Sequence, residues 1–141
     1  MTINETQDEI IEEFTALDDW RYRYQMLIGL GEEQAPLADA DTTEQNLIDG
    51  CQSRVWIVCE EKDGKLHFRA DSDALIVKGL VALVLQVVND HRPDEIYAAD
   101  LYFIERIGLR DHLSPTRSNG LLAMVKQIRM YALAFQSKMQ G

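Results

Sequence analysis

The sequence predicts an α+β fold in two layers, a small antiparallel sheet of about three strands packed by N-terminal and C-terminal helices. Three observations carry that expectation. Apolar residues recur at helical spacing near both ends, a strand-forming run with a hairpin signal occupies the middle, and the alternating order of a parallel βαβ sheet is absent. With 141 residues and 46% hydrophobic composition, residues 1–141 are expected to form one domain with a core of its own.

The first helix is expected from about Glu5 to Leu17, with Asn4 as N-cap, Gln7 in the capping-box position and Ile10, Phe14 and Leu17 along one face. A second begins after Asp18 or Asp19, carries Trp20, Tyr24, Leu27 and Ile28, and ends at Gly29 and Gly31; the two read as an antiparallel pair. Glu32 to Gln45 is polar, contains Pro36 and shows no period, so it reads as a long ordered loop or a short linker. Asn46-Leu47-Ile48 reads as a brief strand and Arg54–Glu61 as the clearest one, rich in Val, Trp and Ile. Lys62-Asp63-Gly64 is a hairpin signal, after which Leu66, Phe68 and Ala70 alternate with Lys65, His67, Arg69 and Asp71. One face of that strand is dry and the other wet. Val55, Ile57 and Cys59 share one face of the preceding strand. Trp56 and Val58 partly cover the other, which leaves room for a homodimer.

Ser72 and Asp73 read as caps of a helix from about Ala74 to Val88, apolar nearly all round and so the most buried. Pro93 opens a short helix, Tyr102–Ile107 forms another that stops at Gly108, and a long last helix runs from Ser114-Pro115 to about Lys138. The stripe of that last helix is Leu121, Val125, Ile128, Ala132 and Phe135. No internal repeat or low-complexity segment interrupts this order.

Charge narrows the partners. The chain carries 14 basic and 24 acidic residues, a formal net of −10, which opposes binding to a phosphate backbone. Residues 1–49 hold 13 acids and 2 bases, while from Arg117 onward every charged side chain is positive: Arg117, Lys126, Arg129 and Lys138. The acidic third is either a solubilising face or a docking surface for a basic partner. Neither end resembles a targeting signal, and the apolar run Leu80–Val88 is far shorter than the ~20 residues of a membrane span. A soluble, cytoplasmic protein with reduced thiols is expected.

Among reactive side chains, Cys51 stands out. It follows Gly50 at a turn, with polar flanks, and a thiolate is a strong nucleophile near neutral pH. Cys59 lies on the strand face shared with Val55 and Ile57, where a cysteine acts as a small apolar residue. Seven residues separate the two, which fits no CxxC pair, and Cys51, Cys59, His67, His91 and His112 offer no i, i+3 or i, i+4 pair of metal ligands. Gly29-Leu30-Gly31 lacks the third glycine of a phosphate loop and lies on a helix. A hydrolase triad around Cys51 finds no support in the pattern.

Four blocks, in order, carry a resemblance: Asn46-Leu47-Ile48-Asp49-Gly50-Cys51-Gln52-Ser53-Arg54-Val55-Trp56-Ile57, Asp71–Leu80, Leu109-Arg110-Asp111-His112-Leu113, and Ser114–Leu121. Together they resemble the SufE family, the sulfur-acceptor partners of cysteine desulfurases, over essentially the whole chain. The Gly-Cys-Gln-Ser form looks more like the Suf type than the paralogous CsdE type.

The resemblance implies a fold like that of IscU-type scaffolds and a role for Cys51 in accepting sulfane sulfur from a desulfurase persulfide and passing it to an iron–sulfur scaffold complex. It implies no cofactor in this chain, the pyridoxal phosphate being the desulfurase's. Gln52, Ser53, Asp73, His112 and Arg117 become supporting or partner-contact candidates. Arg117 would either steady a sulfur anion or bond nearby carbonyls and carboxylates. Asp73 would cap a helix or touch the site, and His112 would donate to sulfur or hold the Leu109–Pro115 turn. The open alternatives are a docking activator that transfers no sulfur and a cluster-binding scaffold; the latter fits poorly with one suitably placed cysteine where IscU-type scaffolds use three.

Overall fold

The structure, a computed structural model, describes residues 1–48 and 54–140, with side chains through Lys138. Its element order is α1 (Ile3–Thr15), α2 (Trp20–Glu33), two short 3₁₀ turns, β1 (Val55–Lys62), β2 (Lys65–Ser72), α3 (Leu75–Val88), α4 (Pro93–Ala98), α5 (Phe103–Arg106), α6 (Leu109–His112) and α7 (Pro115–Gln140). This is the α+β arrangement expected, with two strands among the described residues in place of about three. The segment expected as a third strand contributes an isolated bridge, Leu47 opposite Trp56, with the Ile48 N–H donating to the Val55 carbonyl at 2.8 Å. The 3₁₀ turn Glu44–Asn46 directly before it uses the Leu47 N–H locally, on the Glu44 carbonyl, so pairing extends no further back.

β1 and β2 pair antiparallel in the register Val55 opposite Ser72 to Lys62 opposite Lys65. The turn puts Asp63 and Gly64 at φ +55° and +80°, the two left-handed positions that an Asp-Gly turn supplies without splaying the strands. Val55, Ile57, Leu66, Phe68 and Ala70 are buried, so the dry face falls where the alternation put it. The outer edge of β2 is covered by polar side chains that imitate a strand. Asn89 accepts from the Phe68 N–H at 2.7 Å and donates to its carbonyl at 3.1 Å, and Gln34 donates to the Ala70 carbonyl at 2.6 Å.

α3 is the centre of the molecule. It packs against α1, α2, α7 and the dry face of β2, and Val77, Leu80, Val81, Leu83, Val84, Leu85, Val87 and Val88 are all buried. The expected pairing of α1 with α2 gives way to this arrangement: α2 lies chiefly on α3, and α1 on α3 and α5. The physical reason lies in two glycines. A Cβ on Gly79 would stand 2.0 Å from the Leu27 carbonyl oxygen, and one on Gly31 would stand 2.8 Å from the Gly79 nitrogen. Gly31, expected to stop α2, instead lets α2 run on to Glu33 while its backbone touches α3.

The capping box of α1 sits two residues before its expected place. Thr2 Oγ1 accepts from the Glu5 N–H and Glu5 Oε1 from the Thr2 N–H, both at 3.0 Å. Gln7, expected in the box, is buried; its amide donates to the Asp100 carbonyl at 3.0 Å and accepts from the Phe103 N–H at 3.1 Å, fixing α1 to the turn before α5. Residues 109–112, expected within a turn, form the single helical turn α6 after Gly108 at φ +79°.

Glycines at and beside the α2–α3 crossing separate packing from propensity. Gly79→Ala and Gly31→Ala each force backbone apart, and Gly79→Ala is expected to cost at least about 3 kcal/mol in urea unfolding, at or beyond the upper end of ordinary overpacking. Gly29→Ala meets nothing within 4 Å and is expected to leave stability unchanged or raise it by up to about 1 kcal/mol. Equal midpoints for Gly79→Ala and the unmodified chain would contradict the crossing described.

Candidate functional site

Cys51, Gln52 and Ser53 lie outside the described residues, with Asp49 and Gly50. The chain on either side of them is held firmly. Ile48 is buried and bonded to the Val55 carbonyl. Arg54 is gripped from the other strand: its N–H donates to Asp73 Oδ1 at 3.0 Å, and its carbonyl accepts from Ser72 Oγ at 2.8 Å and from the Asp73 N–H at 3.2 Å. Ile48 and Arg54 are thus fixed beside each other at one end of the hairpin, and the five intervening residues start and finish there.

This use of Ser72 and Asp73 corrects their reading as helix caps. α3 starts at Leu75, and its N-cap Ala74 offers no side-chain cap; the Asp73 carboxylate is spent on Arg54, and Ser72 Oγ accepts from the Ala74 N–H at 3.2 Å only as a second bond. Strand pairing explains the change, because Ser72 stands opposite Val55 and brings Asp73 level with Arg54. Asp71 completes the block. Its carboxylate accepts from the Ser72 N–H at 2.8 Å and the Leu37 N–H at 3.2 Å, and pairs with Lys78 at 3.4 Å. Arg69 bridges Asp41 at 3.2 Å and Glu60 at 2.7 Å, so the loop that leads from α2 to Ile48 is tied along β2. The sequence assigns no site role to Arg54, Asp71 or Arg69; their roles depend on strand register, for which only the hairpin turn gives a signal.

His112 sits at the end of α6, stacked on Trp20 with ring centroids 4.0 Å apart and planes 11° from parallel. Its N–H and Nδ1 both reach the Gly108 carbonyl, at 3.2 and 3.0 Å, and its own carbonyl accepts from the Tyr24 hydroxyl. A carbonyl can only accept, so Nδ1 carries the proton and Nε2 is the basic nitrogen of the neutral ring. The Arg23 guanidinium lies 5.0 Å over Trp20 and bonds the Leu17 and Ile107 carbonyls at 2.8 and 3.1 Å. A side chain at Gly108 would be strained by the left-handed backbone there, φ +79°, and its Cβ would press the indole at 3.2 Å. This cluster, α2 against the α5–α6 turn, holds the Leu109–Pro115 corner in place.

Arg117 is exposed in the first turn of α7, its backbone N–H donating to Ser114 Oγ at 3.3 Å. Among the described residues, no hydrogen bond, ion pair or ring contact joins Asp73 to His112 or Arg117. Among the described residues, Asp73 alone of the three hydrogen-bonds to a residue flanking the Cys51 segment.

Cys59 is partly buried opposite Phe68 and beside Tyr131, which meets Phe68 edge-on at 6.2 Å. Burial, helped by the neighbouring Glu60 carboxylate, pushes its thiol up to about 12. A thiol so placed stays protonated at neutral pH and is a poor nucleophile. Among the described residues, no three His, Cys, Asp or Glu are placed to hold a metal ion, and no helix is long and apolar enough to cross a membrane.

Comparison with known proteins agrees with this frame. The SufE pattern, described as an Fe-S metabolism associated domain, matches residues 8–132. An uncharacterized SufE-like protein of Rhizobium etli is 44% identical over 127 residues, covering 86% of each chain. Another from Rhizobium meliloti is 40% identical over 130 residues, covering 89% of this chain and 93% of that one. The solution structure of a hypothetical protein from Thermus thermophilus superimposes with a TM-score of 0.78 at 19% identity, over 94% of this chain and 96% of that one, and shows the same fold.

Two measurements check the geometry. Asp73→Ala removes the acceptor of the Arg54 N–H and is expected to speed hydrogen exchange of that amide at a cost of about 1 kcal/mol in stability; unchanged exchange at Arg54 would contradict the clamp. In a Cys51→Ser background, Cys59 should resist maleimide from pH 7 to 9 and react fast only in denaturant. Its folded thiol binds its proton more tightly than the unfolded one, so its effect on stability is neutral below about pH 9 and turns unfavourable as pH rises toward 12. Rapid labelling of the native protein would show that the thiol is not sheltered.

Proposed function

The chain belongs to the SufE family, whose domain is associated with iron–sulfur metabolism, and on that premise we propose that it is a sulfur acceptor and carrier. Cys51 takes sulfane sulfur from the persulfide of a cysteine desulfurase and delivers it to an iron–sulfur assembly scaffold. The Gly50-Cys51-Gln52-Ser53 sequence favours a Suf-type desulfurase as partner.

The observation that carries this reading is the contrast between two thiols. Cys59 is held protonated by burial, which leaves Cys51 as the thiol available for exchange, on a segment whose two ends are clamped at Ile48 and Arg54. The chemistry needs little else. The Cys51 thiolate attacks the outer sulfur of the donor persulfide, a new S–S bond forms, the donor's S–S bond breaks, and the donor leaves as a thiolate. A scaffold thiolate then attacks the outer sulfur on Cys51 in the same way and frees the Cys51 thiolate. Each step exchanges one sulfur–sulfur bond for another, so no outside oxidant or reductant enters. Pyridoxal phosphate, which frees sulfur from cysteine, belongs to the desulfurase.

A persulfide is labile in water, so a carrier of this kind gains by shielding its sulfur from solvent until a partner docks. Iodoacetamide should then label Cys51 more slowly in the folded chain than in an unfolded one; equal rates would sink the sheltering.

The transfer itself is tested by intact mass spectrometry after incubation with a desulfurase and cysteine. A gain of about 32 Da, one sulfur per exchange, is expected on Cys51 and not on Cys59. Cys51→Ser should abolish both the gain and any stimulation of the desulfurase. Stimulation that survives Cys51→Ser would replace transfer with docking alone.

A further inference from the structure

On a chain of net −10, one face joins exposed apolar side chains to cations. Among the described residues, four of the seven large exposed apolar side chains, Tyr97, Leu122, Met130 and Leu133, each about half exposed, line a single groove of about 420 Å³ where α4 meets the outer side of α7. Lys126 and Arg129 stand in the same groove. Scattered exposed apolar residues are ordinary, whereas four gathered in one place mark a contact surface.

We propose that this α4–α7 groove docks an acidic amphipathic helix of a partner protein. The shape is set by α7: Leu122, Lys126, Met130 and Leu133 succeed one another at i, i+4, i+8 and i+11, a stripe about 16 Å long at 1.5 Å per residue, which a second helix can follow ridge into groove. The charge is set by composition: α7 carries Arg117, Lys126, Arg129 and Lys138 and no acidic residue. Arg129 is already oriented, its guanidinium donating to the Ala99 carbonyl at 2.9 Å, so it presents a fixed cation at the rim. A second copy docked through the same face would set Lys126 and Arg129 against their own counterparts. An anionic lipid surface would meet the strong negative charge of the remaining chain. A helix with apolar residues flanked by carboxylates satisfies both the groove and its cations.

Amide chemical shifts of the labelled full chain test this. The probes are a synthetic helix of about 18 residues with leucines at i, i+4, i+7 and i+11 flanked by glutamates, its lysine counterpart, and phosphatidylglycerol vesicles. The glutamate peptide is expected to move Tyr97 and the amides from Leu122 to Leu133. Lys126→Glu, an exposed change that should leave the rest of the spectrum in place, is expected to weaken that binding at least about tenfold, and Met130→Ser should weaken it independently. Four results would each overturn the proposal: no shift at these residues up to about 1 mM peptide, equal shifts with the lysine peptide, shifts with vesicles in place of peptide, or shifts that depend on the concentration of the protein alone. The readout is binding, so it fails or succeeds separately from sulfur transfer at Cys51.

Discussion

The close crossing of α2 on α3 is the constraint from which the other placements follow. Gly79 lets the Leu27 carbonyl into the space a side chain would fill, and Gly31 brings the next turn of α2 close against α3 as well. One end of α2 then carries Trp20 and Tyr24 to the α5–α6 turn, where they hold His112. Its other end releases the loop that Asp71 and Arg69 tie along β2 and that arrives at Ile48. α3 itself follows directly from Ser72 and Asp73, the residues that grip Arg54. Both ends of the Cys51 segment are therefore referenced to one helix pair. A rigid base of this kind suits the proposed role, in which the thiol of that segment is offered to two partners in turn.

Much of this was legible in the sequence because the signals were local. The Asp63-Gly64 turn fixes the hairpin, period-two alternation fixes its dry face, and the unbroken apolar run of α3 marks the central helix. Three of the misreadings share a cause: a residue whose local role was outbid by a distant partner. Gln7 looked like a capping residue and bonds residues 100 and 103. Asp73 looked like a cap and bonds Arg54. Gly31 looked like a helix stop and serves a helix crossing. The third strand shortened to one bridge because the 3₁₀ turn before it turns the chain locally at Leu47. At the candidate site the split is similar. The candidate cysteine stood out by its setting and by family resemblance, whereas the Asp71-Ser72-Asp73 clamp required knowledge of which residue faces which across the hairpin.

Strand burial beside Phe68 and Tyr131 raises the Cys59 thiol and keeps it protonated at neutral pH, so in the proposed role sulfur handling falls to Cys51. The surface is divided as well, with acid concentrated in the first third of the chain and cations on α7. A carrier that meets a donor and a receiver gains from two faces of opposite character, since each can favour one partner and repel the other.

The most direct test of the central claim is delivery without the donor. The chain is loaded with ³⁵S through a desulfurase, separated from it, and mixed with the scaffold complex. The account predicts that label leaves Cys51 and appears on the scaffold at a rate independent of residual desulfurase. Label that stays on Cys51, or moves only when the desulfurase is added back, would contradict it.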